Sequence, residues 1–249
     1  MWRRLAEFLI QSASELQVSP IVKYTAFSLF ADRFYPSLTR YIQKRHDKGN
    51  WLLKPTRESN LQLFALISLW ISSKIHDSRP LSVKSLKRLG DKIIKEQHFT
   101  TRDFSEAEIV FMQVSLIYIK MLLAPFSSTE MVFLSKVLDF EIGASNIALI
   151  FLEELLVQFK EVARAGELVS FEACMDLMDV LYEKEETLIL YRSPRSLAAS
   201  ILVAAYVITV PKQRWEFPVL PWVKFVTSCK EEDVVESVGD ILKHVFEPR

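Results

Sequence analysis

The stretch of sequence that decides the fold is LQLFALISLWISSKIHD, residues 61–77. From Leu61 to Ser73 its polar side chains are one glutamine and three serines, so apolar residues face nearly every direction around a helix. Such a helix is typical of the centre of a bundle, where neighbours cover all its sides. It ends with Lys74, just before a predicted turn at 77–80. The stretch predicts a buried central helix with a cation at its C-terminal end.

Four further helices are predicted in the first half of the chain, and serine, threonine or proline residues stand at most of their starts. The predicted segments are an amphipathic helix at 3–17, a helix from Ser19-Pro20 to Pro36, one from Pro80-Ser82, and one from about Phe104. Residues 36–59 are polar and contain Gly49-Asn50 and Pro55, which predicts a long loop.

The second half repeats this plan. Its third helix, SPRSLAASILVAAYVI at 193–208, is again apolar nearly all round and starts at a proline. Four other helices are predicted at 143–163, 171–183, 217–229 and 230–246. We therefore predict an all-α protein of two consecutive five-helix bundles, each arranged around a buried third helix.

Composition argues against several classes of function. Lys and Arg number 31, as do Asp and Glu, so no overall positive charge indicates nucleic acid or a membrane as a partner. The five glycines are isolated, which leaves no phosphate-binding loop. The two cysteines and four histidines lack the spacing of metal ligands. We expect no enzyme activity, no cofactor and no metal, and Glu7 interrupts the one candidate targeting segment.

Several stretches resemble the cyclin family when they are taken in order. ADRF at 31–34 is similar to the DRF that ends the second cyclin-box helix, and LQLFALISLWISSK resembles the third helix. RRLAEFLIQSASEL resembles the first helix, with Glu7-Phe8-Leu9 where Asp-Trp-Leu is usual. VLDFEIG at 137–143 resembles the segment between the two cyclin boxes. The resemblance covers nearly the whole chain, and the compact size and FADRFYPS look most like the J-type cyclins of plants.

The resemblance implies a cyclin fold, with an N-terminal cyclin box at 1–142 and a C-terminal cyclin-like bundle at 143–249. It also implies a regulatory subunit that binds and activates a cyclin-dependent protein kinase in cell-cycle control. Such a protein is expected in the nucleus, the cytoplasm or both. From another class, the alternative is a cyclin-fold scaffold that binds protein or nucleic acid without a kinase, and the neutral charge disfavours it.

In cyclins a lysine at the end of the third helix and a glutamate on the fifth form an ion pair that holds backbone carbonyls of the kinase. The resemblance assigns these roles to Lys74 and Glu108. The alternative for Lys74 is an ordinary cation at a helix C-terminus. Apolar residues around the pair, equally compatible with a core role, are implied at Ile71, Ile75, Met112 and Ile142.

A second family site recruits substrates that carry an Arg-x-Leu motif. The resemblance places it at Leu5, Phe8, Leu61 and Gln62. Because Arg4 replaces an expected aliphatic residue and Phe8 an expected Trp, we expect this patch to serve in packing and to be weak in docking.

An insertion at 114–136 departs from the family pattern. We expect the fifth helix to continue for one or two turns beyond Glu108 and to break near Pro125. A membrane span is disfavoured by Gln113, Lys120 and Pro125. A retained in-frame intron is one hypothesis, and it implies a form of the protein that the insertion disables for kinase binding.

Overall fold

The computed structural model describes residues 1–44, 51–53, 57–123, 147–183, 193–212 and 217–246. For residues 39–40, 43–44 and 116–123 the description covers the backbone alone. The chain divides into two compact units, Met1–Ser145 and Asn146–Arg249. The predicted boundary between residues 142 and 143 lies outside the described residues and stays a prediction.

The described residues are helical in both units and contain no β-strand, so the predicted all-α class is confirmed. The helices of the first unit are α1 (Trp2–Glu15), α2 (Pro20–Ser28), α3 (Tyr35–Lys44), α4 (Glu58–His76), α5 (Val83–Ile93) and α6 (Thr101–Leu123). The helices of the second unit are α7 (Ala148–Val162), α8 (Phe171–Tyr182), α9 (Pro194–Thr209), α10 (Val219–Thr227) and α11 (Glu231–Phe246).

Helix α4 is the centre of the first unit, and α1, α2, α5 and α6 all pack against it. Its residues from Ser59 to Ser73 are buried apart from Gln62. Two of its buried serines are satisfied by backbone carbonyls, since Ser68 donates its hydroxyl hydrogen to the Ala65 carbonyl at 2.8 Å. Ser72 donates to the Val22 carbonyl of α2 at 2.7 Å. These two hydroxyl groups therefore avoid the cost of an unpaired buried donor.

The predicted loop at 36–59 is wrong in its first part, because α2 continues through a π-helical turn at Leu29–Phe34 into α3. We expected Pro36 to end the helix, since proline lacks the N–H that bonds to the fourth residue before it. Pro36 instead lies in the first turn of α3, directly after the wider turn, where the helical hydrogen-bond pattern is already shifted. Helices α2 and α3 together therefore form one of the five helices of this bundle.

Helix α6 is continuous for 15 residues beyond Glu108, longer than the one or two turns expected. The first two residues of the predicted insertion, Val114 and Ser115, are buried in the first unit. Residues 124–136, including the expected break at Pro125, lie outside the described residues. The insertion therefore begins within a core helix of the first unit.

Helix α9 has the same central role in the second unit, where α7, α8, α10 and α11 all contact it. The two bundles thus share the plan in which the third helix is surrounded by the other four. Cys174 lies in α8, and burial raises the pKa of its thiol to about 12. Cys229 was expected inside a helix, but it follows the end of α10, in the connection to α11.

Within the ranges that the structure describes, no helix is long and apolar enough to cross a membrane.

Candidate functional site

The C-terminal end of α4 is held in place by side-chain hydrogen bonds. The Ser73 hydroxyl donates to the Trp70 carbonyl at 2.8 Å and accepts from the Leu81 N–H at 3.1 Å. It thereby fastens the segment after α4 to the helix's last turn. On the other side, the Thr25 hydroxyl of α2 and Nε2 of His76 are 3.0 Å apart. These contacts fix the helix end that carries Lys74.

A cluster of aromatic rings sets the position of α6 against α4. Phe34, at the end of the π-helical turn, is fully buried. Its ring centroid lies 4.6 Å from that of Phe64 on α4 and 4.6 Å from that of Phe111 on α6. Glu108 precedes Phe111 by about one helical turn, so these ring contacts hold the part of α6 that carries Glu108.

Lys74 and Glu108 meet at the surface between α4 and α6. The Lys74 Nζ lies 2.5 Å from Glu108 Oε1, and the two side chains remain 39% and 26% exposed. The same ammonium lies 3.7 Å from the centroid of the Trp70 ring. The structure thus brings together the two residues that the resemblance paired. Since the pair is partly solvated, its own contribution to folding stability is only about 0–1 kcal/mol.

Apolar side chains with unequal exposure lie on the same two helices. Ile75 is 39% exposed and Ile109 is 60% exposed, whereas Met112 is half-buried. Ile71 is buried, so in this state its side chain serves mainly in the core of the bundle. Ile142 lies outside the described residues. The kinase-contacting role of these residues stays a prediction.

The residues of the predicted substrate-docking patch are mostly internal. Leu5, Phe8 and Leu61 are buried in the first unit, and only Gln62 is half-buried. Arg4, which departs from the family pattern, has its own partner, since Nη1 lies 3.3 Å from the Glu58 carboxylate at the start of α4. Packing of α1 against α4 is therefore the visible role of this region, and a docking role stays a prediction.

Among the described carboxylates, Asp32 of the ADRF motif has the pKa that departs most from its ordinary value. Burial raises the pKa of its carboxyl to about 6, although a hydrogen bond from Ser28 and the charge of Arg33 act in the opposite direction. The Ser28 hydroxyl donates to Asp32 Oδ2 at 2.8 Å. Near the lysine site, burial also lowers the pKa of His76, and the charge of Asp77 opposes that shift.

The basic side chains of α5 are partly paired with acidic groups. Lys87 pairs with Asp91 at 2.5 Å, and Lys92 reaches Glu15 of α1 at 2.7 Å. Part of the positive charge on this helix is therefore neutralised within the unit. In the part of the chain that the structure covers, no group of three or more His, Cys, Asp or Glu side chains could hold a metal ion.

Sequence reasoning missed two residues of this site. Trp70 falls within an apolar helix in the sequence pattern, although an aromatic residue four positions before a lysine is a signal for a cation–π contact on a helix. Ile109 was not singled out, and no local pattern separates it from the buried aliphatic residues of α6.

Comparison of the sequence with known proteins identifies a matching family and two relatives. The family model described as "Cyclin, N-terminal domain" matches residues 1–115. The chain is 58% identical over 244 residues to Cyclin-J18 of Arabidopsis thaliana, an alignment that covers 98% of this chain and 94% of the relative. It is 50% identical over 251 residues to Cyclin-J18-like of Oryza sativa subsp. japonica, covering 99% of this chain and 87% of that relative.

Proposed function

This chain belongs to the cyclin family of regulatory proteins, within its plant J-type members, and we propose that it binds and activates a cyclin-dependent protein kinase in cell-cycle control. The observation that carries the proposal is the Lys74–Glu108 ion pair at the exposed junction of α4 and α6. These are the two residues that the resemblance pairs. We propose this junction as the kinase-binding surface.

The surroundings of the pair suit a protein partner. Lys74 offers three N–H donors, and Glu108 accepts from it through one oxygen, so hydrogen-bonding capacity remains for a second molecule. Ile75 and Ile109 add exposed apolar area on the same helices. A partner that covers these aliphatic side chains and leaves the charged pair beside them would form an apolar centre with a polar rim, the usual arrangement of protein interfaces.

Activation would follow from binding to two kinase states unequally. A partner that contacts the regulatory helix of a kinase in its active position stabilises that position over the inactive one. A rigid contact surface also strengthens the binding itself, because less side-chain ordering is then needed when the partner binds. The buried aromatic cluster and the Ser73 hydrogen bonds supply that rigidity in the free chain.

The test is binding to a panel of purified cyclin-dependent kinases, followed by kinase activity on a peptide substrate. The full chain is compared with Lys74→Ala and with Lys84→Ala, a control that removes an exposed lysine from α5. We expect at least one kinase to be bound and activated by the full chain and by Lys84→Ala, and to be bound much more weakly by Lys74→Ala. Equal binding by both variants would contradict the proposed role of the pair.

A shortened chain lacking residues 124–136 separates two reasons for a negative result. If only the shortened chain binds, the cyclin function holds and the insertion disables it. If neither chain binds any kinase, the scaffold function without a kinase becomes the better proposal. This deletion keeps all of α6 as far as Leu123, whereas removal of 114–136 would also remove the buried Val114 and Ser115.

A further inference from the structure

The Lys74 ammonium is held from two directions in the free chain. Glu108 Oε1 lies 2.5 Å from Nζ, and the centroid of the Trp70 ring lies 3.7 Å from the same atom. Trp70 is buried with 7% of its surface exposed, so its ring is fixed by the core of the bundle. The lysine side chain is much more exposed, at 39%. A solvated charged group therefore lies against a fixed aromatic face.

The helix itself creates this contact. Trp70 and Lys74 are four residues apart on α4, and side chains at that spacing are neighbours on a helix surface. The face of an indole ring carries partial negative charge and attracts an ammonium. Glu108 alone would be a weak restraint, because a partly exposed ion pair loses much of its attraction to solvent screening and side-chain freedom. The ring adds a second attraction and blocks one side of the lysine.

We propose that Trp70 is a positioning residue for the partner-binding site, acting through Lys74. Its ring and the Glu108 carboxylate occupy two sides of the ammonium and direct the remaining N–H toward solvent, where a main-chain carbonyl of the bound kinase accepts it. This inference rests on the proposed function. Its physical content is preorganisation, since the lysine is already ordered before the partner arrives.

A purely structural role for Trp70 makes different predictions. If the indole only fills space, any large apolar replacement that folds leaves the binding role of Lys74 intact. The effect of the replacement on binding is then the same whether residue 74 is lysine or methionine. If the indole positions the ammonium, an aromatic replacement rescues more than an aliphatic one. The effect also disappears when the charge is absent. Trp70→Phe, Trp70→Leu and Lys74→Met separate these cases.

The first measurement is the NMR signal of the Lys74 Cε–Hε group in the free chain, assigned by its loss in Lys74→Met. Protons above an aromatic ring shift upfield, so we expect the Lys74 Hε signal upfield of the exposed Lys84 signal in the original chain. The shift should be smaller in Trp70→Phe and absent in Trp70→Leu. A Lys74 signal that coincides with that of Lys84 in the original chain would overturn the inference, whatever happens to the folding of the variants.

The second measurement is the dissociation constant for the kinase that binds best. Each Trp70 variant is measured twice, once with Lys74 intact and once combined with Lys74→Met. With Lys74 intact, we expect Trp70→Leu to weaken binding roughly two- to fivefold and Trp70→Phe to weaken it less. Neither should weaken binding further when combined with Lys74→Met. An equal loss in both backgrounds would show that Trp70 acts through packing alone.

The two measurements also keep the inference apart from the proposed function. If the original chain binds no kinase, the proposed function fails and the kinase-facing part of this inference fails with it. In that case the upfield shift of the Lys74 Hε signal still shows whether the Trp70 ring positions Lys74. If the chain binds a kinase but Lys74 shows no upfield shift, the proposed function stands and the inference falls.

Discussion

The rings of Phe34 and Phe111 stack with their centroids 4.6 Å apart and their planes within 2° of parallel. Phe34 ends the π-helical turn and Phe111 lies on α6, so a single buried contact joins two elements far apart in sequence. Phe111 is about one turn after Glu108. This contact between two core rings is therefore one of those that hold the helix carrying a surface carboxylate in place.

Lys74 and Glu108 should matter more for binding than for stability. We expect Lys74→Met and Glu108→Gln each to change the free energy of unfolding by less than about 1 kcal/mol, because both side chains are partly exposed. Kinase binding should fall by roughly tenfold or more in both, as expected for the loss of a charged anchor. Urea unfolding and a binding titration measure the two quantities.

The control for this pair is Lys87→Met, which breaks an ion pair of similar length and exposure on α5 and should leave binding unchanged. A large loss of stability in Lys74→Met would argue for a structural role of the Lys74–Glu108 pair.

Ile109 should contribute to the partner-binding surface even though it contributes little to the core. Its side chain is 60% exposed, and that of Val157 on α7 is 58% exposed, which makes Val157 a matched control in the other unit. We expect Ile109→Ala to weaken kinase binding by about 1 kcal/mol, roughly fivefold. Val157→Ala should leave it unaltered, as judged by surface plasmon resonance. Equal affinities of the two variants would remove Ile109 from the proposed surface.

The contribution of Asp32 to the stability of the first unit should be more favourable in acid than at neutral pH. Its pKa is about 6 in the folded chain against 3.8 as the reference value. Between these values the unfolded chain loses its proton first, so stability falls as the pH rises. Asp32→Asn removes this loss and should raise the free energy of unfolding at pH 7.5 by on the order of 1–3 kcal/mol.

The measurement for Asp32 is chemical unfolding of the original chain and the variant at several pH values. The difference between the two should be small near the reference pKa of 3.8, grow until the pH reaches the folded pKa of about 6 and then level off. A constant difference at all pH values would mean that Asp32 acts through packing or hydrogen bonding and not through its charge.

Gly166 should be difficult to replace, and Gly239 easy. A Cβ at residue 166 would lie 2.7 Å from the Phe159 carbonyl oxygen and 2.8 Å from the Lys160 backbone, so the backbone must shift. We expect Gly166→Ala to destabilise the protein by about 1–3 kcal/mol. A Cβ at residue 239 in α11 would meet nothing within 4 Å. Gly239→Ala should stabilise its helix by about 0.5–1 kcal/mol. Thermal unfolding distinguishes them, and the reverse order would contradict the packing described here.

The central helices of both bundles, α4 and α9, could be predicted from the sequence because their apolar residues face every direction. This pattern can be recognised without knowing which helices pack around them. The prediction failed at α3, since the effect of Pro36 depends on the hydrogen-bond register of the preceding turn, which no residue type specifies. The Lys74–Glu108 pair was found through family resemblance, because the two residues are 34 positions apart and join only through tertiary packing. Exposed Ile109 and buried Val110 are both β-branched aliphatics. Their different exposure reflects the arrangement of helices around α6.

The π-helical turn at Leu29–Phe34 also changes how well the chain tolerates deletion of a single residue. Such a turn holds one residue more than a regular helix needs. Loss of a single residue there would close the turn and leave the following face of α3 in phase, with Tyr41 still opposite its acceptor Gln113. The middle of α4 has no extra residue of this kind. Deletion of one residue there would rotate Lys74 by about 100° away from Glu108.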